Sequence, residues 1–177
     1  MISVSITHKS NSAKTIEHMA KLLKQALADT AFDGQAYAVK TLIAHDRVDT
    51  GFLINSIHVD LTKISKGETR IYTNAPYAPP VEFGAGPSGE TKTPGWWPPE
   101  EPIEAWVARR LGKRGKDLKQ TTWAIRAAIH ARGIVPTPFM RPAAEHMRRQ
   151  LALYARDAVG RAFREETTPI TVVKEMH

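Results

Sequence analysis

The chain has 177 residues, no cysteine, 42% hydrophobic residues and a formal net charge of +7, which is typical of one soluble globular domain with a hydrophobic core. The lack of cysteine excludes disulfides, thiolate metal sites and a cysteine nucleophile. No apolar run approaches the length of a membrane span, and the first residues lack the pattern of a signal peptide. We therefore expect no membrane contact and no export.

Positive charge is concentrated in the second half of the chain. Residues 1–88 carry a net charge of +1, and residues 89–177 carry +6. This imbalance is compatible with a nucleic acid or an acidic protein as partner, and also with a basic surface that only meets solvent. Charge alone favours the solvated surface.

The first predicted elements are a strand and a long helix. Apolar and polar residues alternate over 2–7, which predicts a half-buried strand. Apolar residues then recur at helical spacing from about 13 to 48. We expect this helix to kink or split near Gly34, because an interior glycine costs about 1 kcal/mol relative to alanine.

A short turn and a β-hairpin follow the long helix. Gly51 is expected to take a positive φ or to allow a close approach of two segments. Thr50 or Asp49 is expected to cap the turn. Alternating residues predict a hairpin at about 57–74, with Gly67 in its turn.

Residues 76–84 form a corner that three prolines stiffen. This corner carries two aromatic side chains, Tyr77 and Phe83, and one acid, Glu82. A rigid corner with bulky anchors suits docking against another surface. The alternative is that Tyr77 and Phe83 only cap the local core.

The loop over 84–101 is too rich in proline and glycine for a regular element, and we expect it to be mobile in the free protein. Its two large aromatic residues, Trp96 and Trp97, either fold back onto the domain or bind a neighbouring chain. Apolar residues at helical spacing predict helices at about 102–133. The connection between these helices, 109–119, is dense in lysine and arginine.

The last helix is predicted from about 139 to 164, and many arginines decorate it. Ile170 and Val172 suggest a short strand or an extended arm at 167–177. Together these elements predict an α+β fold. In this fold a small antiparallel sheet of three to four strands packs against a long N-terminal helix and a long C-terminal helix.

No motif in the sequence indicates catalysis or cofactor binding. The run at 84–89 matches G-x-G-x-x-G, but Pro87 interrupts it and the following residues cannot begin a helix in register. The histidines lack metal-ligand spacing, and there is no nucleophile elbow. Glu100, Glu101 and Glu104 precede or begin a helix, where acids complement the helix dipole. We therefore expect no catalytic residue, no cofactor and no metal site.

The best candidate for nucleic-acid binding is the basic segment 109–119, with Trp106 and Trp123 nearby. Aromatic stacking beside cations that neutralise phosphates is how proteins hold single strands. Both tryptophans lie on apolar helix faces, however, so we expect them to be buried. A solvated basic surface is then the favoured interpretation of this segment.

Three segments together resemble a known family. They are Val48-Asp49-Thr50-Gly51-Phe52-Leu53-Ile54-Asn55-Ser56-Ile57, then Tyr77-Ala78-Pro79-Pro80-Val81-Glu82-Phe83-Gly84, then Pro138-Phe139-Met140-Arg141-Pro142-Ala143. Their order and spacing resemble the tail-completion or head–tail joining proteins of long-tailed bacteriophages, the gene-product-ten-like family of the lambdoid HK phages. In that family the patterns are TGxLxxSI, YAxxVEFG and PFxRPA, and the last opens the final helix.

The resemblance implies a virion structural protein of the neck or tail, made in the host cytoplasm and without a catalytic site. Such proteins form a ring, usually sixfold, that joins the tail to the head. Implied partners are other copies of the chain, tail-tube or tail-terminator proteins, and head-closure or portal-connector proteins; non-specific contact with packaged DNA is a further option. The chain would be one domain over 1–177, with 84–133 as a loop and helical insertion and 167–177 as an arm.

The resemblance also selects residues for assembly. An ion pair between Arg141 and Glu82 is our specific expectation, because both residues belong to the paired motifs. The expected assembly residues are Thr50, Gly51, Tyr77, Glu82, Phe83, Gly84, Trp96, Trp97, Pro138, Phe139, Arg141 and Pro142. The alternative function is a nucleic-acid-binding module that uses 109–119 and the arginines of the last helix.

Overall fold

The computed structural model of the protein describes residues 12–93 and 95–166, which have an α+β architecture. The helices are α1 Ser12–Ala44, α2 Phe52–Asn55, α3 Ala78–Phe83, α4 Glu100–Leu111, α5 Gly115–Arg132 and α6 Met140–Glu166. Strands β1 Ile57–Asp60 and β2 Arg70–Thr73 pair as an antiparallel hairpin. None of the helices in the described ranges is long and apolar enough to cross a membrane.

The sheet is smaller than the sequence predicts. Three to four strands were expected, whereas the sheet in the described residues has two. The predicted strand at 2–7 and the predicted arm at 167–177 lie outside the described residues. Strand β1 ends at Asp60 because this side chain accepts hydrogen bonds from the Thr62 N–H (2.9 Å) and hydroxyl (2.7 Å), which turns the chain. The Thr62 hydroxyl and amide lower the pKa of Asp60 to about 2.

The chain forms two compact units. Within the described residues, the first unit contains 12–36, 59–72 and 144–166, and the second contains 37–58 and 73–143. All three segments that carry the family resemblance therefore lie in the second unit.

Small residues build the core of the first unit. Its buried apolar residues are Ala26 and Ala31 of α1 and Ala158 and Ala162 of α6. The Tyr154 hydroxyl of α6 donates a hydrogen bond to the Asp33 carboxylate of α1.

Helix α1 runs as a single element through Gly34, so the predicted split is wrong. The structure supplies a different reason for this glycine. A Cβ atom built at Gly34 would lie 2.4 Å from both Cγ and Sδ of Met147 and 3.6 Å from Cδ1 of Ile71. Gly34 therefore admits the Met147 side chain at the place where α1, α6 and β2 meet.

The core of the second unit contains larger side chains. Leu42, Leu53, Ile57, Val107 and Phe139 are buried there. Helices α4 and α5, which were predicted within 102–133, pack against each other, and α5 also contacts the 3₁₀ turn Gly86–Ser88.

Two tryptophans of this unit are more exposed than the sequence predicts. Trp123 is 63% exposed and Trp106 is 37% exposed, so the expectation that both are buried is wrong. The helices bury the neighbouring positions instead, since Val107 and Thr122 are inaccessible to solvent. Adjacent residues on an α-helix point about 100° apart, which turns both indoles away from the buried face.

The contact at Gly34 predicts an effect on stability that depends on the residue facing it. Gly34→Ala should lower the free energy of unfolding by about 1–3 kcal/mol, because overpacking against Met147 outweighs the helix propensity of alanine. In a Met147→Ala background the same change should instead raise it by about 1 kcal/mol. Urea unfolding of the wild type, the two single variants and the double variant measures both changes in the free energy of unfolding. An equal effect of Gly34→Ala in the two backgrounds would contradict the contact between Gly34 and Met147.

Candidate functional site

A buried carboxylate joins α3 to the start of α6. Glu82 is 4% exposed. Its Oε2 atom accepts hydrogen bonds from the backbone N–H groups of Phe139 (2.7 Å) and Met140 (2.9 Å), and its Oε1 atom accepts one from the N–H of Arg141 (3.1 Å). Because Pro138 and Phe139 carry no side-chain acceptor, Glu82 caps the helix from a position 57 residues before Phe139.

The predicted ion pair between Arg141 and Glu82 is confirmed, with 3.1 Å between Arg141 Nε and Glu82 Oε1. Arg141 also forms an ion pair with Glu90, and its guanidinium lies 5.4 Å from the centre of the Phe83 ring. Burial raises the pKa of Glu82, but the N–H groups of Met140, Phe139 and Arg141 and the guanidinium outweigh burial and lower the pKa. Glu82 is thus an ionised group that the start of α6 holds in place.

Within the stiff corner at 76–84, residues Ala78–Phe83 form the short helix α3. Tyr77 precedes α3, and Pro79 and Pro80 lie in its first turn, where a missing N–H leaves no helical hydrogen bond unmade. Tyr77 and Phe83 both remain partly exposed, at 38% and 44%. These exposures oppose the interpretation that the two rings only cap the local core.

The glycine-rich run beside this corner serves a close backbone approach. The Ala85 N–H donates to the Ile134 carbonyl (3.0 Å), and the Ile134 N–H donates to the Ala85 carbonyl (2.8 Å). Gly84 has a φ of 71°, and a Cβ there would lie 2.4 Å from the Ile134 carbonyl oxygen. The 3₁₀ turn Gly86–Ser88 follows, so this run does not open a helix as a dinucleotide site requires.

The first resemblance segment is held by charge and by a turn. Asp49 forms ion pairs with Arg109 and Arg110, and the Arg110 hydrogen bond is the main cause that lowers the pKa of Asp49. The Thr50 hydroxyl accepts a hydrogen bond from the N–H of Phe52 (3.3 Å). Gly51 has a φ of 78°, as one of the two expectations for it required.

A groove adjoins this segment. Its volume is about 450 Å³, and three partly exposed aromatic side chains line it together with aliphatic and arginine side chains. The rings of Phe52 and Tyr77 lie 6.0 Å apart. Burial raises the pKa of the Tyr77 phenol, which stays neutral at physiological pH. The main lining residues are Val48, Phe52, Tyr77, Trp106 and Arg109.

The tryptophans of the long loop fold back onto α5, which is one of the two predicted alternatives. The His130 Nδ1–H donates to the Trp96 carbonyl (2.8 Å), and the His130 ring stacks on Trp97 with 4.2 Å between the centres. The Arg126 guanidinium also lies over the Trp97 ring, 5.7 Å from its centre, and the Arg126 Nε donates a hydrogen bond to the Pro98 carbonyl (3.1 Å). The mobility expected for 84–101 stays a prediction that amide exchange measures.

The predicted assembly residues thus fall into three groups within the second unit. Glu82, Phe83, Phe139 and Arg141 meet at the start of α6, with Pro138 just before this helix and Pro142 in its first turn. Gly84 lies beside them in sequence and approaches Ile134 and Pro136. Thr50, Gly51 and Tyr77 line the groove. Trp96 and Trp97 contact α5 instead.

Some ion pairs of the second unit could not be predicted from the sequence. Asp49 is 60 residues from Arg109, and Glu90 is 51 residues from Arg141, so no local spacing connects these ion pairs. Among the described residues, no group of three histidine or acidic side chains could hold a metal ion. The interactions described for this region are helix capping, ion pairs and aromatic contacts.

Comparison with known proteins adds no family to this description. No protein-family model matches the chain, and neither a curated protein nor a solved structure is significantly similar to it. The functional argument therefore depends on the residues and contacts described above.

Replacing Glu82 by glutamine should destabilise the protein in a pH-dependent way. At neutral pH we expect a loss of about 3 kcal/mol in the free energy of unfolding, because the amide cannot satisfy all four donors. The folded-state pKa of Glu82 is below its ordinary value of 4.5, so this stabilisation is complete above that value and is lost as the pH falls through the folded-state pKa. The difference between the two proteins should therefore shrink below about pH 4.5.

Urea unfolding followed by circular dichroism at several pH values measures this difference. Glu68→Gln is the matched control, because the Glu68 side chain is exposed and only 4.0 Å from the equally exposed Lys63. It should change the free energy of unfolding by less than about 1 kcal/mol. A Glu82→Gln effect that stays constant from neutral to acid pH would contradict the assigned role of the carboxylate.

Proposed function

We propose that this chain is a non-enzymatic structural protein of the virion of a long-tailed bacteriophage. In this role it is one subunit of a ring, sixfold by resemblance, that joins or completes the tail at the head–tail interface. The observation that carries the proposal is the capping of α6 by Glu82, because it links the second resemblance segment directly to the third.

The first segment also lies close to the second, and the residues just before the first and third segments contact each other. Phe52 of the first segment packs near Tyr77 of the second, with 6.0 Å between the ring centres. Arg47, just before the first segment, donates a hydrogen bond from Nε to the hydroxyl of Thr137, just before the third (3.1 Å). Three fragments that resembled a family by chance would have no reason to converge, whereas parts of one shared fold would.

The nature of these contacts supports assembly rather than catalysis. The Glu82 carboxylate is ionised, buried and fully hydrogen-bonded, so it works as a structural anchor. Around it, Phe52, Tyr77 and Phe83 keep part of their rings exposed on short, fixed elements. Rigid aromatic side chains lose little conformational entropy on binding, and for this reason they are frequent at the centres of protein interfaces.

A ring requires contacts between two different surfaces of the same chain, and these contacts must close. We assign the aromatic corner of Phe52, Tyr77 and Phe83 to one of these surfaces. A fully buried aromatic residue removes about 150–250 Å² from water, and these three still expose 38–52% of their surface. Together they can therefore supply a part of the roughly 800 Å² that each partner contributes to a stable interface. Tail-tube or tail-terminator proteins and head-closure or portal-connector proteins are the proposed neighbours above and below the ring.

Deletion of the gene from the phage or prophage that encodes it tests this function. We expect separate filled heads and separate tails in electron micrographs of the lysate, and the wild-type gene in trans should restore joined virions. Intact, infectious particles in the deletion strain would contradict the proposal.

A surface variant tests the aromatic corner itself. Tyr77→Ser/Phe83→Ser should lower the infectious titre at least about tenfold in the complementation assay, since aromatic anchors of an interface are typically worth more than 1–2 kcal/mol each. Leu153→Ser/Phe163→Ser is the matched control, because these side chains are also exposed but lie on α6 in the first unit. Thermal unfolding of both variants checks that each is folded. Equal infectious titres for the two variants would show that the aromatic corner is not part of the interface.

A further inference from the structure

The basic connection 109–119 divides into two parts in the structure. Arg109 and Arg110 pair with Asp49 and hold the loop before α2. The remaining cations of the connection are exposed and make no ion pair with any described residue. They are Lys113, Arg114, Lys116 and Lys119.

Two of these free cations, Lys116 and Lys119, lie on the same side of α5 as an exposed indole. Lys116, Lys119 and Trp123 are separated by three and four residues on α5, so they form one stripe about 10 Å long. Trp123 is 63% exposed, and the adjacent Thr122 is buried. The stripe therefore faces solvent, while the opposite side of α5 faces the core.

The local charge of this stripe is positive and almost uncompensated. Asp117 is the only acid of α5, and it lies about 100° away from Lys116 around the helix axis. Arg114 precedes the helix without a capping side chain, so the positive end of the α5 dipole adds to the lysine charges. Such a surface is complementary to a polyanion and not to a second copy of a basic chain.

We propose that the Lys116–Lys119–Trp123 stripe binds single-stranded nucleic acid. The lysines contact phosphates, and the indole stacks on an unpaired base. A duplex keeps its bases stacked on one another and offers only phosphates to this stripe, so Trp123 would stay unused. This site is separate from the aromatic corner and does not depend on ring formation.

Fluorescence titration with an oligothymidylate of about 20 nucleotides at about 50 mM salt tests the site. Stacking should quench part of the tryptophan emission, and Trp123→Ala should remove this quenching. Anisotropy of a labelled oligonucleotide should show a fall in affinity of about 5- to 150-fold for this variant, which corresponds to the usual 1–3 kcal/mol for stacking one base. A duplex of matching length should bind more weakly and without quenching.

Charge variants separate this stripe from general attraction to a basic protein. Lys116→Gln/Lys119→Gln should reduce the slope of log affinity against log salt by about 1.4, because each phosphate contact to a single strand contributes about 0.7. Lys21→Gln/Lys24→Gln removes the same charge from exposed positions of α1 and should change the slope much less. Circular dichroism checks that every variant is folded.

Three results would overturn the proposal. They are no binding at low salt, equal losses for the two lysine pairs, and duplex binding as tight as single-strand binding with silent tryptophan emission. None of these bears on virion assembly, which the deletion strain tests separately.

Discussion

Glu82 places an ionised carboxylate that is only 4% exposed against the first turn of α6. An unpaired carboxylate in that position would cost several kcal/mol, so the start of α6 and the end of α3 have to stay together. The backbone bridge between Ala85 and Ile134 and the fully buried Phe139 lie beside this contact in sequence and depend on the same arrangement. The contact also fixes α3, and with it Phe83 and the preceding Tyr77 of the aromatic corner.

In the second unit, arginines and lysines have different roles. Its paired cations among the described residues are arginines that join separate helices and loops, whereas the free cations of the 109–119 connection are mainly lysines. This division agrees with the chemistry of the two side chains, because a planar guanidinium suits fixed pairing with carboxylates and an ammonium is strongly hydrated. The arginine pairs are Arg109 and Arg110 with Asp49, Arg126 with Glu100, and Arg141 with Glu82 and Glu90.

Two surfaces of this unit therefore differ in what they can bind. The corner around Phe83 offers aromatic area on a fixed backbone, which suits a protein neighbour. The stripe around Trp123 offers lysine charge beside an exposed indole, which suits a strand of nucleic acid. The two surfaces are chemically independent, because one presents aromatic area and the other presents positive charge beside an indole.

The sequence by itself determined the long helices, the hairpin at 57–74 and, through the paired motifs, the contact between Arg141 and Glu82. These features follow from helical periodicity, turn chemistry and short motifs, which act over a few residues or recur as a set. Only the tertiary structure decided that the Met147 side chain packs against Gly34, that Trp123 faces solvent and that Arg109 forms an ion pair with Asp49. Each of these depends on which side of a helix packs and on which distant residue it meets, and periodicity carries no information about a partner 60 or more positions away.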